Sequence, residues 1–283
     1  MISTGRWRIP GTFSGKLFGL GVFFWASVAC GEIPLQEDPL RDWKLTLPVD
    51  NNQDGKADEV TSLAGYENIP WFRRTPEGIV FRAPAGGART SDATAFARSE
   101  LREMAAPRTP AAWNCLAATR RMDIRQSLQH TTTAKPEVAI GQIHDARNDN
   151  LLIKYVGPSD ANGEQDTGRI EVYVNNAAQH ELLDAAYALG QTMQITVHAK
   201  HGRLEVDYRN LQSGVERTVV AQLDAASIAG ACYFKAGLYI QACSRMDMAG
   251  KPNPVCLKKA WPERRYDAPE AWAELLISDL VLH

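Results

Sequence analysis

Apolar and polar residues alternate at every second position along most of this chain, the period of a β-strand with one face on a core. The clearest case is Tyr233 to Gln241. Phe234, Ala236, Leu238 and Ile240 make one face wholly apolar, and Tyr233, Lys235, Gly237, Tyr239 and Gln241 make the other. The polar face sets two phenols, an ammonium and an amide in a row, with a gap at Gly237. Such a gap marks close approach of a ligand or of another backbone; the plainer account is a strand with its polar side in water. Alternation also predicts strands over Trp43 to Val49, Gly78 to Ala83, Phe96 to Met104, Arg120 to Arg125, Val138 to His144, Asn150 to Val156, Arg169 to Asn175, Gln191 to His201 and Ala273 to Leu282. His201-Gly202 reads as a hairpin tip leading into Leu204, Val206 and Tyr208. Helical periodicity is scarce: Gln179 to Ala188 and Leu223 to Ile228 predict a turn or two each. Many short strands joined by turns make an all-β sandwich or barrel.

Two further strands carry chemistry. On Phe96 to Met104, Arg98, Glu100 and Arg102 share a face, opposite Ser99 and Leu101. Two guanidiniums flanking a carboxylate would fix one another's rotamers and present donors to an anion. The competing account is a surface ion-pair ladder of little energetic worth. On Val138 to His144, Gln142 and His144 share a face, with Ile143 turned the other way. The remaining histidines, His130, His180, His198, His201 and His283, have no motif around them and read as surface or structural. The loop Asp50 to Asp58 matches the first half of a calcium loop, but its twelfth position is Thr61 rather than Glu. It therefore reads as a polar turn, and no metal site is expected.

The 283 residues are 23% charged with a formal net charge of −2. That balance argues against a general nucleic-acid binder, and an anionic partner would need a local basic site. Residues 1–30 read as a secretory signal: Arg6, Arg8 and Lys16 precede a short apolar run, Leu17 to Ala29, too short for a comfortable membrane span. Ser27-Val28-Ala29-Cys30 admits two outcomes, cleavage beside Cys30 or lipidation of Cys30 as an outer-membrane anchor. The usual first-position Leu of a lipidation signal is missing, which favours plain cleavage to a periplasmic or secreted protein. Residues 31–283 then suit one large domain. Four cysteines remain, Cys115, Cys232, Cys243 and Cys256, open to three pairings. Cys243–Cys256 is favoured because it would tie down the segment leaving the Tyr233 strand.

Arg98-Ser-Glu-Leu-Arg102, Gln142-Ile-His144 and Tyr233-Phe-Lys-Ala-Gly-Leu-Tyr-Ile-Gln241, in that order, resemble the three motifs of the alginate lyases of polysaccharide lyase family 7. The resemblance extends from Trp43 to the last strand. It implies a β-jelly roll of two curved antiparallel sheets with a substrate groove on the concave face. It also implies a monomer, without a cofactor, that cuts an anionic polysaccharide, alginate, by β-elimination. Removing the carbon-5 proton of a uronate builds charge on its carboxylate, which must be neutralised. By resemblance, Arg98, Arg102 and Gln142 supply the donors, His144 the base and Tyr239 the acid. An ionised Tyr239 could replace His144 as base on mannuronate, whose carbon-5 proton lies on the opposite side of the ring from that of guluronate. Glu100 orients the arginines; Tyr233, Lys235 and Gln241 bind neighbouring sugars. Ile143 is associated with activity on guluronate-containing stretches. Two alternatives are a related lyase for another polyuronate such as glucuronan, and a non-catalytic carbohydrate-binding module; the latter would be expected to have lost His144 or Tyr239.

Overall fold

The computed structural model describes residues 38–106, 109–158, 167–177 and 179–283. The expectations for residues 1–30, Cys30 included, lie outside the described residues. In chain order the strands are β1 (Trp43–Thr46), β2 (Glu59–Val60), β3 (Phe72–Thr75), β4 (Gly78–Pro84), β5 (Arg98–Ala106), β6 (Thr109–Pro110), β7 (Thr119–His130) and β8 (Glu137–His144). They continue as β9 (Asp149–Val156), β10 (Gly168–Val174), β11 (His180–Tyr187), β12 (Met193–Lys200), β13 (Arg203–Asn210), β14 (Glu216–Gln222), β15 (Tyr233–Ile240) and β16 (Trp272–Leu282). They form two antiparallel sheets. One runs β11-β10-β9-β8-β15-β5-β1-β2, with β6 on β5; the other runs β14-β13-β12-β7-β16-β4-β3. This is the jelly-roll sandwich expected from the motifs.

The alternation explains the layering. Leu101, Ile143, Phe234 and Leu238 of the first sheet meet Phe81, Met122, Ile195 and Val197 of the second in one buried core. Gly237 shows which of its two readings holds. It sits at φ +115° beside a register shift of β15 on β8, and a Cβ there would stand 2.9 Å from the Ser99 carbonyl oxygen. The gap admits the backbone of β5 rather than a ligand. His201 and Gly202, both at positive φ, make the two-residue tip between β12 and β13.

One predicted helix is a strand. Gln179 to Ala188 forms β11 at a sheet edge, where two register shifts against β10 interrupt the alternation. Leu183 and Tyr187, its buried apolar residues, are four residues apart, a spacing shared by a helix face and a strand face. The second predicted helical stretch holds a short turn, Ala225–Ser227, capped by the Asp224 side chain. Two disulfides form, Cys243–Cys256 as expected, past the end of β15, and Cys115–Cys232 just before its start. A short helix, α1 (Pro254–Lys258), carries Cys256 and begins at the side-chain cap of Asn253. The Asp50 loop is a polar turn: Asp50 accepts from the Asp54 and Gly55 amides, and Asp54 from that of Lys56.

Candidate active site

Strands β5, β15 and β8 place the three motifs side by side. β15 lies between the other two, so Lys235 faces Arg102 on one side and Gln142 on the other. Tyr239 pairs with Arg98, and Tyr233 with His144.

Glu100 is the hub. Its buried carboxylate accepts from Arg98 Nη1 at 2.8 Å, from Lys235 Nζ at 2.6 Å and from the Gln142 amide nitrogen. Burial alone would raise its pKa, but the Lys235 ammonium and the Arg98 guanidinium outweigh burial and hold it below the usual carboxylate range. Burial, then Arg98, push Lys235 down to about 8 against the pull of Glu100. Lys235 is thus engaged inside the network before any sugar arrives. The expectation that both arginines flank Glu100 holds for Arg98 alone. Arg102 lies 3.8 Å over the Tyr233 ring instead, as Arg98 lies 3.8 Å over that of Tyr239.

Three buried polar atoms here have no partner among the described residues: Arg98 Nε, Arg102 Nη1 and Gln142 Oε1. Buried groups of this kind ordinarily find a partner, and a bound ligand can supply one. The two nitrogens are donors suited to a carboxylate. Gln142 is turned so that one N–H serves Glu100 and its oxygen is free, which suits a sugar hydroxyl.

His144 Nδ1 contacts the Asp145 carbonyl, an acceptor only, so Nδ1 carries the hydrogen and Nε2 is the basic nitrogen. Tyr233 stacks on the imidazole, ring centroids 5.6 Å apart, with its hydroxyl 3.2 Å from Nδ1. Burial and the Lys235 charge lower the His144 pKa, partly opposed by Asp149, whose Oδ1 lies 3.4 Å from Nε2. His144 is therefore neutral at neutral pH, as a base must be. Burial raises the Tyr239 pKa, and the Arg98 guanidinium does not overcome it. This corrects the expectation of an ionised Tyr239: the phenol keeps its proton. Both groups feel the carboxylates of Glu100 and Asp149.

Gln241 lies just past β15 and contributes through its backbone, its N–H donating to the Glu137 carbonyl at 2.8 Å and its carbonyl accepting from Lys135 at 2.9 Å. Ile143 is buried in the core, turned away from the groove. Asp149 was not singled out in the sequence. The available signal was its place: it faces His144 across the turn joining β8 to β9. Among the described residues no group of three or more His, Cys, Asp or Glu side chains is arranged to hold a metal.

A jelly roll whose groove face sets a neutral imidazole and a protonated phenol around a buried and a half-buried arginine has the architecture of a polysaccharide lyase. The alginate lyase profile matches residues 39–261. An alginate lyase of Klebsiella pneumoniae is 30% identical over 83% of this chain and 91% of its own length. Among solved structures, alginate lyase AlgAT5 of polysaccharide lyase family 7 is 27% identical, with a TM-score of 0.65 over 86% of this chain and 94% of that one. The fold is shared with an alginate lyase from Klebsiella pneumoniae, at 22% identity and a TM-score of 0.69 over 87% of this chain and 96% of that one. The chain belongs to the alginate lyases of polysaccharide lyase family 7, enzymes that depolymerise alginate.

Proposed function

We propose that this lyase cleaves alginate with His144 as the base and Tyr239 as the acid. His144 Nε2 takes the carbon-5 proton of a uronate. The electron pair moves to form the carbon 4–carbon 5 double bond, and the glycosidic oxygen leaves carbon 4 with the proton of Tyr239. Arg98 Nε and Arg102 Nη1 meet the charge that builds on the carboxylate, and their help grows as that charge builds. The observation that carries this reading is the Glu100 hub, which locks Arg98, Gln142 and Lys235 on one face while leaving donors unpartnered there. A protonated Tyr239 favours one base for both epimers. Support for polysaccharide binding comes from a family 7 lyase, 18% identical, solved in complex with substrate (GGMG).

The two disulfides suit an oxidising compartment and support export, with the enzyme working as a secreted or periplasmic monomer. Separate incubation with polymannuronate, polyguluronate and glucuronan tests the reading, following unsaturated ends by ultraviolet absorbance and sizing products over time. Unsaturated oligo-uronates from either of the first two are expected, with guluronate blocks cut faster. Unsaturated product from glucuronan alone would overturn it.

A further inference from the structure

Beyond Tyr239, the groove face continues into a second cluster that the reaction does not use. The segment leaving β15 is closed on itself by Cys243–Cys256, and the Asp267 N–H donates to the Cys243 carbonyl at 3.0 Å. Tyr266 Oη donates to the Cys256 carbonyl at 3.2 Å and accepts from the Trp261 N–H at 3.1 Å. The segment thereby sets Trp261 on Phe96, ring centroids 6.3 Å apart and nearly parallel, and Phe96 meets the Tyr239 ring edge-on at 6.0 Å. Three cations surround the indole: Lys135 at 5.1 Å, Lys259 at 5.5 Å and Arg265 at 5.8 Å from its centroid.

The charges do not balance. Glu137 serves Lys135 at 2.8 Å, Lys154 at 3.1 Å and Arg265 at 3.3 Å. Asp267 directs its carboxylate to the backbone amides of Ala134 and Lys135. Lys259 is exposed and has no carboxylate partner among the described residues. Among the described residues Glu137 is the one acid paired with Lys135, Lys154 and Arg265, Glu263 is taken by Arg245, and the exposed Lys259 has no acid, so the cluster offers positive charge to an anion. A uronate offers a carboxylate edge and an apolar C–H face, which match cations set around an aromatic ring.

We propose that the disulfide-closed segment forms an added subsite, in which Trp261, Lys259 and Arg265 hold a uronate of the polysaccharide beyond the unit next to the scissile bond on the Tyr239 side. The proposal rests on the lyase reading above. The subsite binds and does no chemistry, so it sets how strongly the enzyme favours long chains over short ones.

The test compares wild type with Lys259→Ala/Arg265→Ala and with the single charge reversal Lys259→Glu, on polymer and on the shortest oligomer that wild type cuts. The double variant is expected to raise KM on polymer about 10-fold with kcat unchanged. Lys259→Glu should move KM the same way, and neither should alter KM on the shortest oligomer. Thermal midpoints matching wild type would establish that the variants are folded. An unchanged KM on polymer, or an equal rise on the shortest oligomer, would overturn the subsite. Wild type that fails to release unsaturated ends from alginate would instead overturn the lyase reading itself.

Discussion

Arg98-x-Glu100 on β5 and Arg121-x-Asp123 on β7 have the same form in the sequence, an arginine and an acid two residues apart on a strand. In the fold they have opposite fates. The side chains of Arg98 and Glu100 are 11% and 3% exposed, inside the groove, where the acid also holds Lys235 and Gln142. Those of Arg121 and Asp123 are 45% and 20% exposed on the other sheet, where Asp123 also meets Thr196 and His283. Arg169-x-Glu171 and Arg203-x-Glu205 repeat the pattern with the arginine half exposed in each. A charged pair on a strand is therefore uninformative until its face is known. Screened by water it contributes little, and buried it becomes a fixed electrostatic device whose parts depend on one another.

The sharpest test is at the groups the buried network serves. His144→Ala and Tyr239→Phe should each lower kcat on the preferred polymer by about 10²–10⁴, the usual worth of a positioned proton-transfer group. Binding of oligo-uronates should survive in both, because Arg98 and Arg102 remain. Near-normal kcat for Tyr239→Phe on both block types would remove the phenol from its assigned role.

Next comes stability. Glu100→Gln leaves the Lys235 and Arg98 charges buried without their acid, and should cost about 3–5 kcal/mol in denaturant unfolding. Asp123→Asn at the look-alike pair should cost about 0–1 kcal/mol. Equal losses at the two sites would end the contrast between them.

A subtler effect is expected at Asp149. His144 must be neutral to act, so kcat/KM should fall as pH drops through its folded pKa, which lies below the ordinary histidine value of 6.5. Asp149 opposes that lowering, so Asp149→Asn should move the acid limb of the pH profile to still lower pH. A limb that stays in place would show that Asp149 does not touch the base. Tyr239, raised by burial, should keep its proton across the neutral range, placing any alkaline loss from that group above the ordinary tyrosine value.

The smallest expected effect is none. If Arg98 and Arg102 neutralise the substrate carboxylate as proposed, dialysis against a chelator should leave turnover unchanged. Activity lost in chelator and restored only by calcium would reopen the Asp50 loop as a site.

Much of this was legible in the chain because a strand shows its faces directly. Two-residue alternation placed Lys235 and Tyr239 opposite Phe234 and Leu238, and turned Ile143 away from Gln142 and His144. It also gave the hairpin at His201-Gly202, since two left-handed residues between alternating strands have few other uses. The edge strand β11 escaped it because its helix-forming residues and its Leu183–Tyr187 spacing suit either element, and pairing with β10 decided between them.

Local pattern thus determined which residues face together along each strand, and the three motifs determined the family. Which strands stand side by side was a matter for the tertiary fold alone. β5, β15 and β8 are far apart in the chain, and their adjacency makes Glu100 the partner of Arg98, Lys235 and Gln142 while leaving Arg102 to stack on Tyr233. Burial, too, belongs to the fold rather than to any strand. Burial raises the Tyr239 pKa and, together with the Lys235 charge brought beside it, lowers that of His144, against the pull of the other neighbouring charges.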